Sequence, residues 1–387
     1  MYYYKKYLIL LSAFLFIINL SAQESMLCQG AYWTEDEGNR KLKEFARSWH
    51  DQASWEARAS KIKSQMKAGM QWDKMPQIKG NFNPIIRKRR EMDGYSVENI
   101  AIESFPGFYI TGNLYRPLKS QGKHAAILSP HGHWENGRMR EAIQIRCAAL
   151  ARMGAIVFAY DMLGFGEAVQ VDHDISIALH LQTFNSKRVL EYLLSREDVD
   201  GERIGMTGAS GGGTQTFVLA ALDERIKAAV PAIQISAHFF GGCVCESGMP
   251  IHKSNELQTN NVEIGALMAP RPMLMLSDGG DWTRNTPRVE YPYIRKVYAL
   301  YDAEHKLEQV HFPSERHDYG YSKRTPMYMF FAHHLNLNIN QLEFDGPPKE
   351  DFFRLLTEKE LQVFDEENPM PASALKGDKA VLEYLAW

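Results

Sequence analysis

The sequence predicts an α/β architecture: a mostly parallel sheet of eight strands with helices on both faces, preceded by a helical extension. Two observations predict it. From about residue 95, short apolar runs bounded by turn residues alternate with longer stretches of helical spacing. That alternation is the pattern of parallel strands covered by helices on both sides. A glycine-dense segment, "RIGMTGASGGGTQT" at residues 203–216, also sits where one of these runs passes into a helix.

Composition bounds the rest. The 387 residues are 45% hydrophobic and 24% charged, which suits one large globular domain with an accessory segment and excludes a disordered chain. The formal net charge is −3 with no basic stripe, so nucleic acid is not an expected partner.

At the N-terminus, Lys5 and Lys6 precede an apolar run from Leu8 to Ile18, and Ser21 and Ala22 follow it. This charged, apolar, small order reads as a signal peptide over residues 1–22, cleaved near Ala22, with a secreted or periplasmic product that keeps no stable membrane partner. The run is short for a membrane span. Met26 and Leu27 are poor neighbours for Cys28 as a lipoprotein acceptor.

Residues 23–94 read as an N-terminal helical extension or cap, with helical spacing from Thr34 to Met70. Trp33, Trp49, Trp55 and Trp72 serve there as packing anchors rather than ligand stackers. Residues 95–340 carry the sheet. Its strands are expected near 95–104, 108–117, 124–130, 155–161, 203–208, 226–234, 271–277 and 307–313, the first two as an antiparallel hairpin joined by "FPG". Residues 341–387 read as a final helix and surface arm. Oligomeric state is left open by the sequence.

Gly208-Ala209-Ser210-Gly211-Gly212 fits G-x-S-x-G placed after a strand and before a helix. The glycines allow a sharp turn that exposes Ser210 at the strand's end, and the Gly211 N–H becomes available to an oxyanion. A serine hydroxyl needs a base and the base needs an orienting acid, in the chain order Ser, acid, His for this turn. His317 is the expected base. Asp281 is preferred as the acid because its loop can carry it toward His317, whereas Asp278 lies at the strand end and braces the turn. Glu246 is a weaker alternative acid, and Asp318 serves its own loop.

The second oxyanion donor is expected from the loop "LSPHGHWENG", through the backbone N–H of His133, with Gly132 permitting the close turn. Trp134 and Trp282 lie on loops flanking Ser210, where an indole could stack on a sugar ring or simply pack the loop. Asp161, Gly164 and Gly166 are expected to brace the oxyanion loop.

The four cysteines, Cys28, Cys147, Cys243 and Cys245, are too few for a disulfide framework. Cys243 and Cys245 have no second Cys or His pair at zinc-ligand spacing beside them, and the "HGH" and His333-His334 spots lack a full ligand set. No metal and no cofactor is therefore expected.

From about residue 95 to 335 the sequence resembles the α/β-hydrolase superfamily, in its acetyl xylan esterase-like and dienelactone hydrolase-like branch. The segments "MTGASGGGTQT", "HGHWENG", "DMLGFGE", "GGDWTRNTP" and "HFPSERHDYG" carry that likeness. It implies an α/β-hydrolase fold and a secreted serine ester hydrolase, with Ser210, Asp281 and His317 in the triad roles. Ser at the elbow, rather than Cys, favours an esterase over a dienelactone hydrolase. The expected substrate is an acylated carbohydrate, with acetyl groups on a plant polysaccharide such as xylan foremost. A glucuronate methyl ester is the rival, with Arg138 and Arg284 as candidate cations for its sugar acid. A serine peptidase and a non-catalytic binding protein are the remaining alternatives.

Overall fold

The computed structural model describes residues 26–118, 122–344 and 346–387; the leader read at residues 1–22 lies outside them. One sheet organises the chain, in the order β1-β2-β3-β5-β4-β6-β7-β8-β9. Its strands are β1 (Ile85–Glu91), β2 (Tyr95–Phe105), β3 (Phe108–Pro117), β4 (His124–Pro130), β5 (Ile156–Tyr160), β6 (Val199–Ala209), β7 (Ala228–Ala232), β8 (Met273–Asp278) and β9 (Leu307–Phe312). From β5 through β9 the neighbours pair in parallel, whereas β1/β2, β2/β3 and β3/β5 are antiparallel.

Among the described residues the sheet therefore has nine strands rather than eight. The added one, "IIRKRRE", falls within residues 23–94, read from the sequence as a helical extension, and forms an edge strand of the sheet. It carries a register shift between Arg87 and Arg90, and Lys88 and Arg89 are exposed on it. Charge and a bulge are how an edge avoids pairing with another chain.

Among the described residues eleven helices surround the sheet: α1 (Glu35–Phe45), α2 (Gln52–Gly69), α3 (Glu141–Arg152), α4 (Ala178–Leu194), α5 (Gly211–Leu222), α6 (Val244–Ser247), α7 (Asn261–Ala266), α8 (Glu290–Ala299), α9 (Tyr321–His334), α10 (Glu358–Leu361) and α11 (Asp378–Tyr384). Side chains alternate across the central strands. In β4, Ala126 and Leu128 join the core under α2, α4, α5 and α8, while Ala125 and Ile127 join the core under α3 and α9.

The N-terminal helices start on reciprocal caps, Thr34 with Glu37 and Asp51 with Ser54. Trp49 and Trp55 are buried in the main core, and the Trp49 indole N–H donates to Tyr293 Oη at 3.1 Å. Among the described residues no helix is long and apolar enough to cross a membrane.

The segment after residue 341 is not a free arm. Leu356 and Leu361 are buried in the core under α3 and α9, and Val363 is fully buried beside Tyr109. Gln144 Nε2 donates to the Leu356 carbonyl at 2.9 Å and its Oε1 accepts from the Leu356 N–H at 3.0 Å. Buried asparagines on β2 and β3 hold the next residues: Asn99 donates to the carbonyls of Glu360 and Gln362, and Asn113 to that of Leu361. Its polar sequence hides this burial because the anchoring apolar residues are few and irregularly spaced.

Candidate active site

Ser210 joins β6 to α5 at φ 57°, ψ −127°, a left-handed conformation that costs a non-glycine residue of order 1–3 kcal/mol. The turn is held open from both sides. The Ser210 N–H donates to the Ala232 carbonyl on β7 at 3.2 Å, and the Ser210 carbonyl accepts from the Thr214 N–H at 3.0 Å. The side chain is thereby presented, half-buried, over the first turn of α5. The first N–H groups of a helix have no intrahelical acceptor, and Gly211 is the first residue of α5.

Two loops further along the same sheet edge bring the acid and the imidazole together. Asp281, on the loop after β8, places Oδ2 2.5 Å from His317 Nδ1, on the loop after β9. Its other oxygen accepts from the Thr283 N–H and hydroxyl, both at 2.6 Å, so the carboxylate cannot rotate freely. With the proton on Nδ1, the basic nitrogen of His317 is Nε2. Asp278 turns elsewhere: its Oδ1 accepts from the Gly280 N–H at 3.0 Å and its Oδ2 faces Lys323 Nζ at 3.3 Å. Burial and the nearby Asp281 charge push its carboxyl up, against the pull of Lys323.

The loop after β4 packs directly on the serine turn. A Cβ on Gly132 would lie 3.0 Å from Ser210 Cβ and 2.7 Å from the Ala209 carbonyl oxygen, so only glycine fits there. A Cβ on Gly211 would likewise strike His133 Cε1 at 2.8 Å. His131 braces this loop by holding the Gly132 carbonyl at 2.8 Å through Nδ1 and accepting the Met162 N–H at 3.0 Å through Nε2. Asp161 receives the Thr111 hydroxyl at 2.6 Å, the Glu167 N–H at 3.0 Å and the Arg138 guanidinium. Burial works against its charge, yet Arg138 and His131 hold its carboxyl down at about 2.

The candidate cations for a sugar acid are both engaged elsewhere. Arg138 is fully buried and bonds Asp161, Glu167 and Asn113 behind the loop, and Arg284 pairs with Glu35 of α1. A sequence shows a cation's loop but not which way it faces. Trp282 has one indole face stacked on Phe239 at 4.0 Å and lies 4.6 Å from the His317 ring. Trp134 is half-buried, with the Arg140 guanidinium 5.3 Å from its ring centre. Glu246 does not meet His317 through any hydrogen bond among the described residues. It accepts from Thr214 and Gln234, each at 2.8 Å, and burial pushes its carboxyl up.

One cluster escapes a reading based on spacing. His133 Nε2 lies 3.1 Å from His173 Nε2, 3.1 Å from Cys243 Sγ and 3.2 Å from Cys245 Sγ. The four residues come from three separate segments, so no ligand motif spans them. The hydrogen bond with Cys245, and then His133 and His173, hold the Cys243 thiol well below its ordinary value.

A serine on a left-handed strand-to-helix turn, with an Asp–His pair two and three strands along the same edge, defines an α/β hydrolase, and the chain belongs to that superfamily. It is 39% identical to methylesterase BT1017, with a TM-score of 0.85 over 91% of this chain and 79% of that one, and it belongs to the same family. A profile of the acetyl xylan esterase family matches residues 180–241. The YtaP protein of Bacillus subtilis (strain 168) is 28% identical over 227 residues, 51% of this chain and 73% of YtaP. A glucuronoyl esterase from Solibacter usitatus shares the fold, with 14% identity and a TM-score of 0.55 over 74% of this chain and 94% of that one. The chain is a carboxylic ester hydrolase.

Proposed function

We propose that the chain hydrolyses methyl esters of carbohydrate carboxylates through an acyl-enzyme on Ser210. Ser210 Oγ attacks the ester carbonyl carbon while His317 Nε2 takes its proton, and Asp281 stabilises the imidazolium. The tetrahedral oxyanion is bound by the N–H groups of His133 and Gly211. The carbon–oxygen bond then breaks, with His317 protonating the departing methanol. A water activated by the same nitrogen releases the sugar acid.

The observation that carries this reading is the 2.5 Å contact between His317 and Asp281 at the sheet edge where Ser210 adopts its left-handed turn. The methyl ester is favoured by the family shared with a protein named a methylesterase. It is also favoured by Arg140 and Arg316, which flank this edge, are exposed, and form no ion pair among the described residues. Release of acetyl groups from a polysaccharide such as xylan is the second reading, favoured by the acetyl xylan esterase profile, whose match includes Ser210. Action outside the cytoplasm rests on the charged, apolar, small order of residues 1–22.

The test compares methanol release from a methyl uronate oligosaccharide with acetate release from acetylated xylan and cleavage of a peptide amide. Faster methanol release supports the proposal; faster acetate release replaces it with the second reading, and faster amide cleavage sinks both. Ser210→Ala is expected to lower turnover by a factor on the order of 10⁶ with an unchanged circular dichroism spectrum. Intact mass of exported protein should begin at Gln23.

A further inference from the structure

We infer that His133, His173, Cys243 and Cys245 bind a zinc ion that clasps the loop carrying the His133 N–H. The four side chains converge although nothing in their spacing draws them together: His133 follows β4, His173 lies between β5 and α4, and Cys243 and Cys245 open α6. Their four donor atoms all lie within 4.8 Å of one another. Zinc bonds of roughly 2.0–2.1 Å to nitrogen and 2.3 Å to sulfur in a tetrahedron place donors about 3.4–3.8 Å apart. The sulfurs, 2.7 Å apart, and His133 Nε2, 3.1–3.2 Å from its three partners, are packed somewhat closer than that, and no donor pair is more than 4.8 Å apart, so small outward shifts of the side chains would open the tetrahedron.

The surroundings orient the donors for a cation. His173 Nδ1 lies 2.7 Å from the Leu163 carbonyl, which can only accept, so the ring proton sits on Nδ1 and the Nε2 lone pair faces the cluster. An outer hydrogen bond of this kind fixes the tautomer of metal-binding histidines. Two imidazoles and two thiols form a donor set that zinc prefers to harder cations. Four protein ligands leave no open position, which marks a structural ion rather than one that activates water.

The ion would tie three segments beside the serine. Glu246, next to Cys245, is bonded to Thr214 on α5, so the clasp also reaches the helix beneath Ser210. That the clasp supports turnover rests on the proposed oxyanion role of the His133 N–H; that the ion binds does not.

The full chain, purified without chelators, is assayed for metal by plasma mass spectrometry. One zinc per chain is expected, falling at least 10-fold in His173→Ala and in the Cys243→Ser/Cys245→Ser double variant. Should these variants fail to fold, the wild-type protein decides: zinc should shield two thiols from a thiol reagent, and a strong chelator should expose them. Cobalt in place of zinc should give thiolate-to-cobalt charge-transfer bands. Metal-free protein with two reactive thiols, or with the mass of a Cys243–Cys245 disulfide, overturns the site.

Chelation is further expected to lower kcat at least 10-fold with little change in KM, reversed by zinc. Zinc bound without any effect of its removal on kcat overturns the clasp's role in turnover. Zinc bound in a protein that hydrolyses no ester overturns the proposed function and leaves the metal site standing.

Discussion

Asp278 and Lys323 are both fully buried and face each other at 3.3 Å, and the same ammonium binds Glu315, the Arg316 carbonyl and Asp318 on either side of His317. One cation thus joins the end of β8 to the loop that carries the imidazole. The two neighbouring aspartates divide the work: Asp281 meets His317, and Asp278 meets the clamp.

Substitution should separate them. Asp281→Asn is expected to lower kcat by roughly 10⁴, because the amide no longer selects the Nδ1–H tautomer. Asp278→Asn should lower kcat less than about 10-fold, since Lys323 retains three other partners, while costing about 1–3 kcal/mol of stability. Steady-state kinetics beside denaturant unfolding checks both, and a larger kinetic loss at Asp278 would exchange their roles.

Gly132→Ala tests the contact between the loop after β4 and the serine turn. The added carbon meets backbone and Ser210 Cβ at 2.7–3.0 Å, so the loop must move away from the serine. Losing an oxyanion donor costs roughly 10²–10³ in kcat, and that is the expected loss. Crowding of this kind costs about 1–3 kcal/mol, so a folded variant with undiminished kcat would remove this loop from the chemistry.

Glu290 should make stability depend on pH. It is fully buried, its Oε1 accepts from the Ala237 N–H at 3.0 Å, and its Oε2 has no hydrogen-bond partner among the described residues. Burial pushes its carboxyl up from 4.5 to about 7. Between those values the folded chain holds a proton that the unfolded chain has released, so stability falls as pH rises. The loss is of order 3 kcal/mol and complete above pH 7. Glu290→Gln should flatten this dependence and raise Tm at pH 8, read by thermal melts from pH 5 to 8.

Arg140 and Arg316 should discriminate charged from neutral substrates. Replacing both by alanine is expected to raise KM for a methyl ester on an otherwise acidic oligosaccharide by about 10-fold, with a weaker dependence on salt. Hydrolysis of a neutral aryl acetate should change far less. Equal effects on the two substrates would assign the arginines a structural role.

The sequence reveals most of the fold because the eight strands from β2 to β9 fall on short runs with clear punctuation, and the serine turn is marked by its glycines. Asp281 is expected as the acid rather than Asp278 because three residues of loop change how far a carboxylate reaches, and its Oδ2 lies 2.5 Å from His317 Nδ1. What stayed hidden depends on direction or distant pairing. β1 is an edge strand with a charged face. Arg138 looks like a free cation until Asp161 and Glu167 are placed beside it. The His133, His173, Cys243 and Cys245 cluster draws on segments far apart in the chain, so only the assembled sheet brings it together.

Residues 356–364 are bonded to Gln144 on α3, to Arg138, which donates to the Leu361 carbonyl, and to Glu167, which accepts the N–H groups of Val363 and Phe364. These partners lie immediately behind the loop that packs on Ser210, yet the segment is synthesised after every strand of the sheet. A nascent chain can therefore complete its sheet and serine turn while that loop still lacks its backing. Arrested chains ending before residue 356 should bind no active-site phosphonate, and chains that also expose residues 356–364 should react. That outcome would make competence a matter of timing in translation, set by a stretch of polypeptide that forms no hydrogen bond with Ser210, Asp281 or His317 among the described residues.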